Sequence, residues 1–351
     1  MSFTKDLIGG ADGKFDHNSL SALQKVTLRA VVMSFLFYGL ASIEGMIMRM
    51  VEIHPRLAPQ PEFADPTHFF SIMTVHPIVG IFGSTYQLVF AAFTFLVPFL
   101  TKKPLYSVKL ANWTWLQITI GTALAWFAAF IWSYAPLYTL YWPLPADTEQ
   151  FSAIGGVVFI TGVALIMTGT LCFIYNIYAT IFAKVGVHEN KTTKELLISG
   201  FGIDGMLNLW HKITGRPPYS KEPALALPVV AIFRGTVDTF LDALVILGAG
   251  VLVLVFLLAG LGGVHLDVSS VDALLYKNWF WWGLDLVADG LVLIYVAGSW
   301  YLLATLITGQ KLFMENIARA ALMLELLVSW MVWSHHLLSD QGQPEMMKLI
   351  S

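Results

Sequence analysis

Two histidines stand side by side near the end of this chain, His335 and His336, in the run "VSWMVWSHHLLSD". An imidazole at the edge of a membrane-grade helix is costly unless something holds it. Earlier in the chain, "NWFWWGLDLVADGLVL" sets Asp285 and Asp289 four residues apart, on one face of a helix. Two carboxylates on one membrane helix repel each other unless a cation or a proton is shared. Two imidazoles with one or two carboxylates suit copper, iron or zinc better than calcium or magnesium. A carboxylate–histidine hydrogen-bond network without metal is the competing account, and the residue types leave both open. His76, in "SIMTVHPIVGIFGSTY", is a third candidate. Gly80 and Gly83 follow it at i+4 and i+7, and small residues there leave room for a flat ligand. A neutral imidazole in that setting suits axial haem coordination. A satisfied core histidine is the alternative.

These groups must be positioned by membrane helices. Of the 351 residues, 57% are hydrophobic and 12% charged. A soluble domain carries roughly 25% charged residues, so the chain reads as an all-α, polytopic transmembrane bundle in a lipid bilayer. A net charge of −3 gives no reason to propose nucleic acid as a partner. Seven apolar runs are long enough to span: 27–51, 70–98, 111–135, 153–184, 228–260, 278–309 and 317–337. Around them lie a tail (1–26), a long loop (185–227) and a final stretch (338–351). The tail lacks the apolar core of a secretory signal, so the first span directs insertion. Basic residues alternate between loops. The tail and the first turn of the first span have Lys5, Lys14, Lys25 and Arg29; loop 99–110 has Lys102, Lys103 and Lys109; loop 185–227 has Lys191, Lys194, Lys212, Arg216 and Lys221. The intervening loops carry only Arg56 and Lys277. The positive-inside rule then places the N-terminus in the cytoplasm and His335 and His336 on the outer side. There is no internal repeat and no low-complexity tract.

Other ionisable groups within the runs include Glu44, Arg49, Arg234, Asp238, Asp242 and Glu325. Arg49 sits near a helix end, where it can snorkel. Arg234 and Asp238 are four apart and suited to pair with each other. Glu325 has no obvious partner in the sequence. In loop 185–227, Leu207, Trp210 and Ile213 suggest a short interfacial helix. His17, His54, His68, His188, His211 and His265 read as solvated tail or loop residues. The single cysteine, Cys172, reads as a small core residue.

Taken in order, these stretches resemble the catalytic subunit of the haem-copper oxidase superfamily, which includes cytochrome oxidases and nitric oxide reductases. The resemblance runs along the whole chain. "GMIMRMVEIHP" looks like the end of the first helix and "FFSIMTVHPIVGIFGSTY" like the second, with its haem-ligand histidine. "PLYTLYWPLP" resembles the outer loop after the third helix, and "FWWGLDLVADG" falls at the sixth-helix metal motif. "WSHHLLSDQGQPEMMKLIS" resembles the seventh-helix His-His pair, its outer loop and the start of an eighth helix. The resemblance implies that His76 ligates a low-spin haem and that Arg49 neighbours it. It implies that His335 and His336 ligate a non-haem metal, copper or iron, beside a high-spin haem. Asp285 falls where the family has its third metal-ligand histidine, which favours a harder metal. Asp289 falls where many oxygen reductases place a tyrosine and nitric oxide reductases a glutamate. The expected function is therefore a respiratory-chain terminal reductase of the inner (cytoplasmic) membrane, leaning to nitric oxide reduction. Asp285 and Asp289 would both be metal ligands and catalytic carboxylates. Oxygen reduction stays open because of "YTLYWPLP", as does a non-catalytic subunit or ion carrier on the same scaffold. The resemblance also implies a cytochrome c-like or quinol electron donor. The remaining haem ligands would come from a C-terminal half or a second subunit.

Overall fold

In the computed structural model the chain is described over residues 21–53, 66–185, 189–331 and 333–350. Helix accounts for 77% of the fold, with no strand among the described residues. That is the expected outcome where lipid offers the backbone no hydrogen-bond partner. Seven helices are long and apolar enough to cross a membrane. They are α1 (Ala22–Ile53), α2 (Thr67–Thr101), α3 (Val108–Ile131), α4 (Ala153–Phe182), α7 (Leu227–Leu261), α8 (Ala273–Thr308) and a last span, Glu315–Leu337. The regular part of that last span is α9 (Glu315–Ser329). Two short helices, α5 (Thr193–Gly200) and α6 (Ile203–Ile213), occupy the long loop. The second is a short helix where one was expected, with Trp210 and Ile213 exposed. The protein is an integral membrane protein, and large side chains such as Phe35, Leu36, Trp300 and Ile307 face outward from its spans.

Close contacts give the helix directions. A methyl group placed on Gly121 would lie 2.4 Å from the Gly162 carbonyl oxygen, and one on Gly162 would lie 2.5 Å from that of Gly121. Further along, Gly169 meets Ile118 and Gly155 meets Trp132, so α3 and α4 run antiparallel with their backbones touching. Small residues allow such crossings in membranes, where packing rather than water drives helix association. Gly121→Ala should therefore cost about 1–3 kcal/mol, the usual range for overpacking a close contact. Thermal unfolding in detergent would read the loss, and an unchanged midpoint would show that the crossing can give way. Gly283 against Val245 and Gly290 against Thr239 make α7 and α8 a second antiparallel pair. By contrast α7 and α9 run parallel, since Arg234 meets Glu325 and Asp238 meets Trp330. The end of α1, the start of α2, the start of α8 and the end of the last span thus share one face of the bundle.

Two features depart from the sequence reading. Both α2 and α8 contain wide π-type turns, at Ile78–Tyr86 and Val292–Ala297. In α2 the wide turns follow Pro77, which has no N–H to give the ladder. Gly80 packs toward Ala41, and Gly83 toward Phe37 and Thr122. Gly83 serves the contacts of α2 with α1 and α3, where an added methyl would lie 2.7 Å from Thr122, while Gly80 meets only Ala41 at an ordinary 3.6 Å. The second departure concerns His335 and His336. Regular helix stops at Ser329, and the pair sits on a separate 3-10 turn, Ser334–Leu337. The last turn tightens first, with Met331 N–H bonding to the Val328 carbonyl.

Lys103 is a loop cation that turns inward. Its ammonium donates to the carbonyls of Ile181 and Ala183, at 2.7 Å each, and closes the end of α4. Burial, and then the charge of Lys184, draws its pKa down to about 8. Among the loop histidines, His68 and His265 are exposed and His211 reaches the Pro217 carbonyl at 2.6 Å. His17, His54 and His188 lie outside the described residues.

Candidate metal and haem sites

Asp285 lies one-third of the way along α8, and the 3-10 turn brings both histidines to it. His336 Nε2 is 3.1 Å from Asp285 Oδ1 and His335 Nε2 is 3.8 Å from the same oxygen. One ligand atom from each of the three residues falls within a mutual distance of 4.8 Å. Atoms bound at about 2 Å to one ion are about 3–4 Å apart, so the donors need little movement to share one. One carboxylate and two imidazoles form a borderline set that accepts iron, copper or zinc. Asp289, one turn further along α8, is half-buried and stays outside this set.

Several contacts fix the two imidazoles. The Trp281 ring stacks on His336 at 4.0 Å, with 18° between the planes. Trp281 in turn donates from Nε1 to the Tyr141 hydroxyl at 2.9 Å. Lys277 lies over the Tyr141 ring and bonds to Asp340 at 2.6 Å. On the other side, Trp333 Nε1 donates to Asn278, which also pairs with Gln343. Trp282 Nε1 donates to the Trp330 carbonyl at 3.2 Å, taking up an acceptor that the helix end leaves free. The turn carrying the pair is therefore tied to α8 at several points. Such outer contacts orient ligands and are worth roughly 10–100-fold in metal affinity.

His76 sits near the start of α2, against α1. Its Nδ1 is 3.0 Å from the Ala41 carbonyl, the bond expected of an Nδ1–H donor. That tautomer leaves the lone pair on Nε2, as an axial ligand requires. Gly45 makes the cradle: a methyl group placed on it would lie 3.2 Å from the ring. The His76 side chain remains 34% exposed, enough to leave the ring accessible from one side. The residues present thus fit a haem on Nε2, though not through Gly83. Arg49 is exposed at the end of α1 and pairs with Glu52. It makes no contact with His76 in this arrangement.

Glu325 has a partner after all. Arg234 is fully buried and donates to Asp238 at 2.5 Å and to Glu325 at 2.6 Å. It also reaches the Leu322 carbonyl and Ser329. The pairing of Arg234 with Asp238 was legible from their spacing; the pairing with Glu325 crosses from α7 to α9 and was not. One turn on, Asp242 is fully buried and accepts from the Tyr86 hydroxyl at 3.2 Å. At the other end of α9, Arg319 binds Glu315, Asp204 and the Leu225 carbonyl, fastening α6 to the bundle. Burial raises the pKa of Asp204, with Arg319 acting against it. Cys172 lies on α4 with its sulfur 4.0 Å from Gln117, a packing position.

The family model described as cytochrome c and quinol oxidase polypeptide I matches residues 25–351.

Proposed function

The chain belongs to the haem-copper oxidase subunit I family, and on that premise we propose that it is the part of a terminal reductase that reduces nitric oxide. Members of the family bind haems and a copper or other non-haem metal, and carry oxidoreductase activity. In our reading Asp285, His335 and His336 hold the non-haem metal, and His76 holds the low-spin haem. When bound, these groups supply electrons and a Lewis-acidic centre for the bound substrate. The chain's own residues set the terms of the rest. Asp285 makes the donor set harder than three imidazoles would, which favours iron. Trp281 keeps the His336 ring in one plane beside it.

The observation that carries the choice of substrate is the pair Asp285 and Asp289. Coupling two NO molecules to N2O and water consumes two electrons and two protons, and no O–O bond must break. The position one turn after Asp285 is a carboxylate, which can pass a proton but cannot supply the electron that a tyrosine can. Asp289 lies beside the donor set, partly shielded from water, and suits a proton carrier there. The basic residues of the tail, of loop 99–110 and of loop 185–227 support a cytoplasmic N-terminus, and the inner (cytoplasmic) membrane is our reading of its location. A cytochrome c-like or quinol donor is the electron source that the family suggests.

The assembled enzyme, reduced with an artificial donor, should consume NO and release one N2O for each pair of NO molecules. Asp289→Asn should slow turnover about 10²–10⁴-fold, the usual range for loss of a positioned proton donor. Four-electron O2 consumption with no N2O formed would reverse the assignment of substrate.

A further inference from the structure

Glu44 is an unusual residue in α1. It is 3% exposed within a membrane helix, and neither the metal site nor the haem site assigns it a role. Trp126 on α3 donates from Nε1 to Glu44 Oε1 at 2.7 Å. The other oxygen, Oε2, is buried and accepts no hydrogen bond. It lies 3.9 Å from His76 Nδ1. A buried carboxylate oxygen without a donor is costly and persists where something nearby repays it.

The geometry points to Glu44 as a positioning residue for the His76 imidazole: held by Trp126, its carboxylate flanks the Nδ1–H and strengthens Nε2 as a haem ligand. This rests on the reading of His76 as an axial ligand. Ala41, Glu44 and Gly45 are one helical turn of α1, spaced i, i+3 and i+4, and all three face the same ring. The Ala41 carbonyl takes the Nδ1 proton. Gly45 admits the ring. In its ionised form Glu44 adds negative charge beside the same nitrogen in a medium of low dielectric, where charge counts for more. A ligated ring shares positive charge with the iron, more in the oxidised state than in the reduced one. The carboxylate therefore favours the oxidised haem. Carboxylates next to ligating histidines act in this way at metal sites. Trp126 keeps the carboxylate from turning away, and ties the ligand on α2 to α3 through α1.

The test is a spectroelectrochemical titration of the low-spin haem in the assembled enzyme, with low-temperature EPR of its ferric signal. Glu44→Gln should keep the haem, move its midpoint potential positive and shift the EPR signal. Trp126→Phe should move the potential the same way by less, and the exposed Glu149→Gln should not move it. An unchanged potential and spectrum in Glu44→Gln, with haem retained, overturns the proposal. If Glu44→Gln does not assemble, an unchanged potential in Trp126→Phe overturns it instead. His76→Ala separates the premise: a low-spin haem that survives there removes the axial assignment, and this proposal with it. Loss of that haem in His76→Ala, together with no shift in Glu44→Gln, removes the role of Glu44 alone.

Discussion

Asp285→Ala should strip the assembled enzyme of its non-haem metal and of turnover, while leaving the low-spin haem in place. The reason is donor count. Three donor atoms lie within 4.8 Å of one another, and Asp285 Oδ1 is the atom both imidazoles approach. Removing it leaves two adjacent histidines on a single short turn, a bidentate site open to water on the side α8 had closed. Even outer contacts to metal ligands are worth about 10–100-fold in affinity, so a lost ligand should cost more than about 100-fold. Asp285→His should behave differently. It keeps three donors and restores an all-imidazole set, so metal content should hold while preference moves toward copper. Elemental analysis of the purified variants decides both points. Full metal occupancy in Asp285→Ala would mean that the carboxylate only accepts hydrogen bonds from the histidines, the metal-free account of the same contacts. Trp281→Leu probes the support in turn. It removes the stack on His336 at 4.0 Å without touching a ligand atom, and should lower affinity within the outer-contact range.

Legibility in the sequence depended on which forces are local. Span number and helix class depend on apolar length alone, and runs such as 153–184 and 228–260 lie within a few residues of α4 and α7. The pairing of Arg234 with Asp238 depends on helical periodicity and was readable for the same reason. Asp285 and the histidine pair are far apart in sequence; they could be grouped because their spans are consecutive and their side chains make one ligand set, a grouping the resemblance then supported. Three things were out of reach. Gly80 and Gly83 share the α1-facing stripe of His76, but that α1 and α3 themselves fill the space beside Gly83 is not readable from spacing. Glu44, His76 and Trp126 come from three helices, and no spacing links them. Glu325 meets Arg234 only because α7 and α9 run parallel, with α8 returning between them. In each case the decisive partner is set by how helices pack, which in lipid is governed by small-residue contacts and buried polar groups rather than by an amphipathic stripe.

Arg234→Met should destabilise the bundle by about 3–5 kcal/mol, the cost of breaking a buried ion pair from one side. Arg234 and Asp238 are both 0% exposed. Without the guanidinium, Asp238 keeps only the indole N–H of Trp330, at 3.2 Å. The Leu322 carbonyl and Ser329 lose a donor as well. The cost therefore comes from the groups left behind and not from the strength of the pair itself. It follows that removing all three charged groups should be far milder. Arg234→Met combined with Asp238→Leu and Glu325→Leu should recover most of the lost stability, since apolar replacements for buried ion pairs are often neutral or better. Thermal unfolding of the detergent-solubilised protein compares the variants directly. A single variant that melts with the parent protein, or a triple variant no better than the single one, would refute this account. The same series reaches the metal site. Trp330 holds Asp238 through its indole and receives Trp282 through its carbonyl, and Trp282 neighbours the α8 turn that bears Asp285. Losing Arg234 should thus loosen the turn carrying His335 and His336 and lower metal occupancy. The triple variant should regain stability before it regains metal, because the leucine that replaces Asp238 restores packing but offers Trp330 no acceptor.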